Sequence, residues 1–471
     1  MSATHSLAQV SKKYIRDDAS PGFVLPDLIG YCPFTLHVNP HYEAASAESD
    51  AWFDSFGIHR GSRRDEFKIA KFGLLTAMSY AQADHAHLRN CCDFMSWLFA
   101  FDDLTDDGGL RENIDGMKKA AKIMMDALRN PKTYKTEFKV GETLRRSVSH
   151  RAALPHGPLS HTVSTISFWE RASATASEGT QRRFVETCQL YVNAIYQQVV
   201  NRRHDQIPTF ESFIQLRRDT SAVKLVFSLI EYSLNLTLPD AVFDDPIIKS
   251  LEQGANDILT WANVSDMSNA QQSHVILMDS RLLLKHQDIY SFNVEQSKGD
   301  TQNLVVIAMH EFGLNIQQAV DHVGSRIRSR IDQYVMEKRL VPSFGSPQID
   351  AQVVTYIGGM EDSVIGVLHW SFDSKRYFGD EHERIKRDRT VTLLPVDTSM
   401  LPPPDSTVVY DEPTRQGQVG LGKITGSGIG LVLPFNLMVS RPILFRVAAV
   451  LSWLLWLNWI APSFTSYYTL L

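Results

Sequence analysis

Residues 99–107 read FAFDDLTDD, a cluster of carboxylates at the end of a strongly apolar stretch. Asp102 and Asp106 are four positions apart, so on a helix their side chains share one face. Acidic groups held beside apolar ones are costly unless opposite charge meets them. Hard divalent cations take oxygen ligands, and magnesium usually pairs one or two carboxylates with the phosphates of a substrate. Metal-assisted chemistry on a phosphorylated substrate is therefore one reading. A solvated acidic helix end leading into the Gly108-Gly109 turn is the other. A calcium loop fails: counting from Asp103, Thr105 stands at position three, and Ile114 stands at position twelve, where a bidentate glutamate is required.

A second group of oxygen donors lies at residues 288–295, DIYSFNVE, where Ser291 and Glu295 are one helical turn apart and Asp288 precedes Ser291 by three. Lys298 sits a further turn along the same face and could reach a phosphate. This run resembles the second metal motif of class I terpene cyclases, an Asn-Asp start followed by Ser at the fourth position on and Glu at the eighth. With FAFDDLTDD upstream and Arg376-Tyr377 downstream, residues 26–395 resemble fungal sesquiterpene synthases. One position breaks the pattern, because Gln287 stands where Asn is due. Upstream is Trp261-Ala262-Asn263, and joining Asn263 to Asp288 gives WAN–DIYSFNVEQSKGD, which restores the motif. The intervening block, 264–287, begins with Val, encoded by GTN, and ends with Gln, which CAG can encode. Those are the boundary signals of a eukaryotic intron, and a whole number of codons keeps the frame. The expectation is a retained intron; a genuine loop insertion, or a site in which Gln287 is the ligand, are the alternatives. Asn256-Asp257 also starts like the motif, but Val264 occupies the glutamate position.

The resemblance implies magnesium held by Asp102 and Asp106 on one wall and by Asn263, Ser291 and Glu295 on the other. It implies a prenyl diphosphate substrate, farnesyl diphosphate in this family, ionised and cyclised to a sesquiterpene with release of diphosphate. Arg217, in QLRRDTSAV, stands where the family carries its diphosphate-sensing arginine, with Arg218 as the competing choice. Thr220 and Ser221 fall where that sensor is coupled to a helix break. Arg376 and Tyr377 match the pair that grips the diphosphate. Aromatic faces stabilise a cation by about 0.5–2 kcal/mol each, which makes Phe94, Phe99, Phe101 and Trp370 candidates for the reacting chain. A prenyl diphosphate synthase would normally carry two Asp-rich motifs. A metal–carboxylate hydrolase leaves Ser291 and Arg376-Tyr377 unexplained. A helical prenyl-diphosphate-binding protein, crippled by residues 264–287, is the non-enzymatic alternative.

Groups so far apart in sequence meet only if packed elements bring them together, and the elements read as helices. Residues 67–80, 83–101, 184–200, 221–234 and 302–341 place apolar side chains at spacings of three and four. PHGP at 155–158 and Leu238-Pro239-Asp240 punctuate them. No run of alternating strands is visible. The expectation is an all-α, single-domain class I terpene synthase bundle around a central cavity, spanning 46–395 after an N-terminal segment 1–45. Residues 396–440, rich in Pro and Gly, read as a linker. In the apolar tail 441–471 no charge occurs from Val447 onward, and Trp453, Trp456 and Trp459 recur every third residue, although Ser452, Asn458 and Pro462 dilute it. A membrane anchor, an interfacial helix or a tail packed on the domain are the readings there.

Over 471 residues, 47 Lys and Arg oppose 53 Asp and Glu, a formal charge of −6 that argues against a nucleic-acid partner. Four cysteines, two of them adjacent at Cys91 and Cys92 and none in a CxxC pair, argue against structural zinc or a disulfide scaffold. With no secretory signal in the opening residues, the reducing cytosol is the expected compartment.

Overall fold

The computed structural model describes residues 22–395 except 60, 107–108, 111–112, 131–167, 204–207, 263–287 and 298–301, and of residues 106, 202, 203, 288 and 294 it describes the backbone alone. The chain separates into two units, Met1–Ser406 and Thr407–Leu471, and every described residue belongs to the first. The expected linker and apolar tail lie outside the described residues. Among those described, no helix is long and apolar enough to cross a membrane.

The described chain is helical almost throughout, with one short ribbon. Strand β1 (Gly22–Val24) leads to α1 (Leu28–Tyr31), α2 (Tyr42–Ser55), α3 (Ser62–Ile69), α4 (Phe72–Ser79), α5 (His85–Asp106) and α6 (Ile114–Arg129). Then follow α7 (Phe168–Thr175), α8 (Glu178–Arg203), α9 (Phe210–Thr220), α10 (Val223–Ser233), α11 (Asp240–Asp244) and α12 (Pro246–Trp261). The last helices are α13 (Asp288–Ser297), α14 (Leu304–Phe312), α15 (Ile316–Lys338), α16 (Pro347–Asp373) and α17 (His382–Asp388), before β2 (Thr390–Thr392). Helix starts carry their signals. Asp245 accepts from the amides of Ile247 and Ile248 with Pro246 in the first turn, and Ser346 accepts from the amide of Ile349 with Pro347 in the first turn. Asn315 and Gln318 form a reciprocal capping box.

Two segments that the periodicity reads as single helices are broken. Residues 67–80 divide at Lys71, whose φ of 51° is left-handed. The Trp370 indole donates 2.8 Å to the Ala70 carbonyl and 3.1 Å to that of Lys71, satisfying acceptors that the break exposes. Residues 302–341 divide at Gly313, where φ is 65°, a conformation glycine adopts without Cβ strain.

Helix α5 runs through the core, with every residue from Leu88 to Asp102 buried. It packs on α2, α4 and α10; α12 packs on α15, and α16 on α4 and α10. A buried aromatic series of Phe94, Trp97, Phe101, Phe168 and Phe184 fills the space between α5, α7 and α8. Each such side chain contributes on the order of 1.5–3 kcal/mol relative to exposure. Ordered packing begins before residue 46: β1 pairs antiparallel with β2, Gly22 opposite Thr392 and Val24 opposite Thr390. Strands of three residues are too short to show alternation in sequence.

Candidate active site

The acidic motif occupies the last turn of α5. Carboxylates at a helix C-terminus oppose the macrodipole, so this end attracts a cation. Asp102 is 6% exposed, and the buried Tyr191 hydroxyl of α8 donates 2.6 Å to its Oδ1. Asp103 lies 3.6 Å from Nε2 of His59, whose side chain is buried. That imidazole is held neutral: burial first, then Arg63 and Arg64, push its pKa down to about 4. The side chain of Asp106 lies outside the described residues.

Ser291 and Glu295, 1% and 2% exposed, lie on one face of α13. The buried Asn303 amide donates 2.8 Å to Glu295 Oε2 and 3.4 Å to Ser291 Oγ. Asn263, Lys298, Gln287 and the block 264–287 lie outside the described residues. The block falls between the end of α12 and the start of α13, and Ala262, after the last residue of α12, still has helical φ and ψ of −79° and −17°.

Arg217 and Arg218 part company. Arg218 makes a bidentate pair with Asp257 at 2.7 and 2.9 Å, and Arg330 donates to the same carboxylate at 3.4 Å. Asn256 donates 2.8 Å to the Arg218 carbonyl and accepts 3.0 Å from the Ser221 hydroxyl. Asn256 and Asp257 thus brace the end of α9. Arg217, on the last turn of α9, is 2% exposed. The break between α9 and α10 falls at Ala222, left-handed at φ 59°, one residue beyond Thr220 and Ser221. A β-carbon there costs on the order of 1–2 kcal/mol.

Arg376 is buried, its guanidinium carbon 4.6 Å from the ring centroids of both Phe72 and Phe99. Its Nε has no hydrogen-bond partner among the described residues. Burial lowers its pKa, while Tyr377, Asp103 and Asp102 pull it back up. Tyr377 is buried beside it, and burial pushes the phenol above its ordinary range. Arg376, to which it hydrogen-bonds, and Arg217 act to lower it, and Glu295 acts to raise it. One phenol therefore senses both arginines and the second-motif carboxylate.

Some of these side chains meet at a cavity of about 60 Å³, while Arg217 and Glu295 are not among its lining residues. Asp102, Ser291, Arg376 and Tyr377 contribute its polar lining, and Leu98, Phe99 and Leu259 are among the apolar residues. Of the four aromatic candidates, Phe99 lines it. Phe94 and Phe101 stack within the core, and Trp370 is edge-on to Tyr377 at 5.5 Å. Small-molecule pockets usually measure about 300–1,000 Å³, well above the volume of this cavity. The donors are carboxylates and a hydroxyl, the set that hard divalent ions prefer. Among the described residues no three His, Cys, Asp or Glu side chains form a ready-made metal cluster.

Tyr191 and Asn303 are site residues that motif spacing does not reveal. Asn303 does carry a helix-start signal, an Asn before the apolar run LVVIAM. Nothing in that signal says that its amide also reaches back to α13.

Residues 93–333 match the family described as "Terpene synthase family 2, C-terminal metal binding". Sesquiterpene synthase 1 of Postia placenta is 37% identical over 372 residues, covering 79% of this chain and 95% of that protein. Alpha-muurolene synthase of Coprinopsis cinerea is 36% identical over 389 residues, covering 82% and 81%. Among solved structures, germacradien-4-ol synthase from Streptomyces citricolor superposes with a TM-score of 0.55 at 19% identity, over 75% of this chain and 98% of that one.

Proposed function

The chain belongs to the fungal sesquiterpene synthase family of class I terpene cyclases, and we propose that its substrate is farnesyl diphosphate and its metal Mg²⁺. It is a terpene synthase, a lyase that cyclises a prenyl diphosphate with release of diphosphate. The observation that carries the finer reading is the convergence of Asp102, Ser291, Arg376 and Tyr377, from three separate stretches of chain, on one largely apolar cavity.

Ionisation breaks the bond between the allylic carbon and the diphosphate oxygen. Asp102 and Asp106 would hold magnesium on the α5 wall; Asn263, Ser291 and Glu295 would hold it on the other. The bound metal supplies Lewis-acid stabilisation of the leaving oxygens. Arg217, Lys298 and Arg376 bind the diphosphate through charge-assisted hydrogen bonds, and the Tyr377 hydroxyl adds a donor. Arg376 sits against the aromatic faces of Phe72 and Phe99 and beside Tyr377, within the field of Asp103 and Asp102. As it turns towards diphosphate, the Phe99 face is left to the hydrocarbon cation, and the apolar wall keeps water from quenching it.

Residues 264–287 belong to the same proposal. Ala262 is still helical and α13 starts at Asp288, so in a chain without the block α12 would run directly into α13. Asn263 would then share a helix face with Ser291 and Glu295. The test is incubation of the chain, with and without residues 264–287, with farnesyl diphosphate and Mg²⁺, with geranyl and geranylgeranyl diphosphate in parallel and one arm supplied with isopentenyl diphosphate, and analysis of both volatile products and prenyl diphosphates. A cyclic fifteen-carbon hydrocarbon formed only with divalent metal supports the reading; an elongated prenyl diphosphate would make the protein a chain-elongating synthase instead.

A further inference from the structure

We propose that Asn303 is a positioning residue for the second metal-binding wall, a role that rests on the metal-site reading above. Asn303 is completely buried between α13 and α14. Its Oδ1 caps α14, accepting from the amides of Val305 at 2.7 Å and Val306 at 3.4 Å. Those two donors fix which end of the amide is oxygen, because a reversed side chain would set its NH₂ against backbone N–H groups. Nδ2 is thereby aimed at α13, where it donates 2.8 Å to Glu295 Oε2 and 3.4 Å to Ser291 Oγ. One side chain ties both ligands of the second motif to the N-terminus of the next helix.

The chemistry of the donor matters. An arginine or lysine here would orient Glu295 equally well but would cancel the charge that must attract a cation. A neutral amide fixes the direction of the carboxylate and leaves its charge intact. Outer partners of this kind usually contribute about ten- to a hundredfold to metal affinity.

The test uses the full chain with Mg²⁺ and inorganic pyrophosphate as probes, reading thermal stability without ligand and the Mg²⁺ midpoint for stabilisation with pyrophosphate present. Residues 264–287 interrupt the motif but leave Ser291 and Glu295 on α13, so the parent is expected to respond, at high metal concentration. Asn303→Ala removes both cap and donor; Asn303→Ser keeps a capping oxygen too short to reach Glu295. Both are expected to raise the Mg²⁺ midpoint about ten- to a hundredfold, with N303S the more stable of the two without ligand. Asn315→Ala, which removes the equivalent cap of α15, is expected to lower stability and leave the midpoint unchanged. If the Asn303 variants lose stability but keep the parent midpoint, Asn303 is a helix cap alone and the proposal falls. If the parent itself ignores Mg²⁺ and pyrophosphate, the metal-site reading falls and takes this one with it.

Discussion

Asp102 meets two demands at one carboxylate: it faces the cavity, and Tyr191 fixes its direction. In the chain without 264–287, the background for each turnover prediction at this scale, Asp102→Ala is expected to lower turnover on the order of 10²–10³-fold, the usual effect of deleting one group that stabilises the departing charge. Tyr191→Phe, which removes the orienting bond alone, should cost about 10–100-fold in metal dependence; steady-state kinetics against Mg²⁺ concentration separates the two. Arg376 gives the opposite pairing of stability and activity. Its burial is uncompensated at Nε, so Arg376→Ala should abolish most turnover while the melting temperature holds or rises, measured on the same preparation. His59 adds a pH effect. Its pKa is about 4 folded against 6.5 unfolded, so the unfolded chain binds the extra proton first and stability falls as pH drops from 6.5 to 4. The loss is at most roughly 3 kcal/mol. It should be largely absent from His59→Phe, which keeps the ring packed between Phe53 and Phe67, as acid denaturation curves would show. What was legible at this scale was spacing: carboxylates four apart, and Ser and Glu one turn apart. Tyr191, Asn303 and the division of labour between Arg217 and Arg218 were not legible, because each depends on a contact across the fold rather than on its neighbours in sequence.

Helices set these contacts, and their existence was readable from apolar periodicity while their breaks were not. The bends at Lys71 and Ala222 carry no glycine to announce them, and tertiary partners hold them. The ribbon of β1 and β2 was equally hidden, yet it bears on the site through α13. Asn293 donates 2.8 Å to the Thr392 carbonyl and accepts 2.9 Å from the Leu394 amide, and Gln296 donates 3.0 Å to the Leu394 carbonyl. Asn293 and Gln296, buried polar residues of α13, are therefore held by residues 392–394. A chain ending after Pro395 should keep its fold, whereas one ending at Arg389 leaves Asn293 and Gln296 in the interior without their partners at 392–394, keeping only the bond between the two. Each buried amide left without partners costs about 1–3 kcal/mol, so the shorter form should lose roughly 2–5 kcal/mol and its Mg²⁺ response together. Equal denaturation midpoints for the two truncations would show that the ribbon does not hold α13.

At the scale of the whole molecule, the proposed function requires two metal-binding walls to face each other across one cavity, and in sequence the block 264–287 immediately precedes the helix that carries Ser291 and Glu295. Were the block helical throughout, its length would set Asn263 about 36 Å from Asp288, beyond any shared ion. With α13 starting at Asp288, Gln287 would have to serve as the ligand instead on the proposed reading. Its additional methylene carries the amide oxygen about 1.5 Å too far for an ion that demands near-ideal octahedral geometry at roughly 2.0–2.1 Å. The 471-residue form is therefore expected to turn over farnesyl diphosphate slowly or not at all. Deleting 264–287 should restore activity, and Asn263→Ala in the shortened chain should abolish it again, with product formation and Mg²⁺ midpoint moving together. Transcript sequencing supplies an independent check, since codons 264 to 287 should be missing from the dominant message. If both lengths cyclise the substrate at equal rates, the block is a tolerated insertion, and the ligand from this wall must be Gln287 or a residue outside the motif.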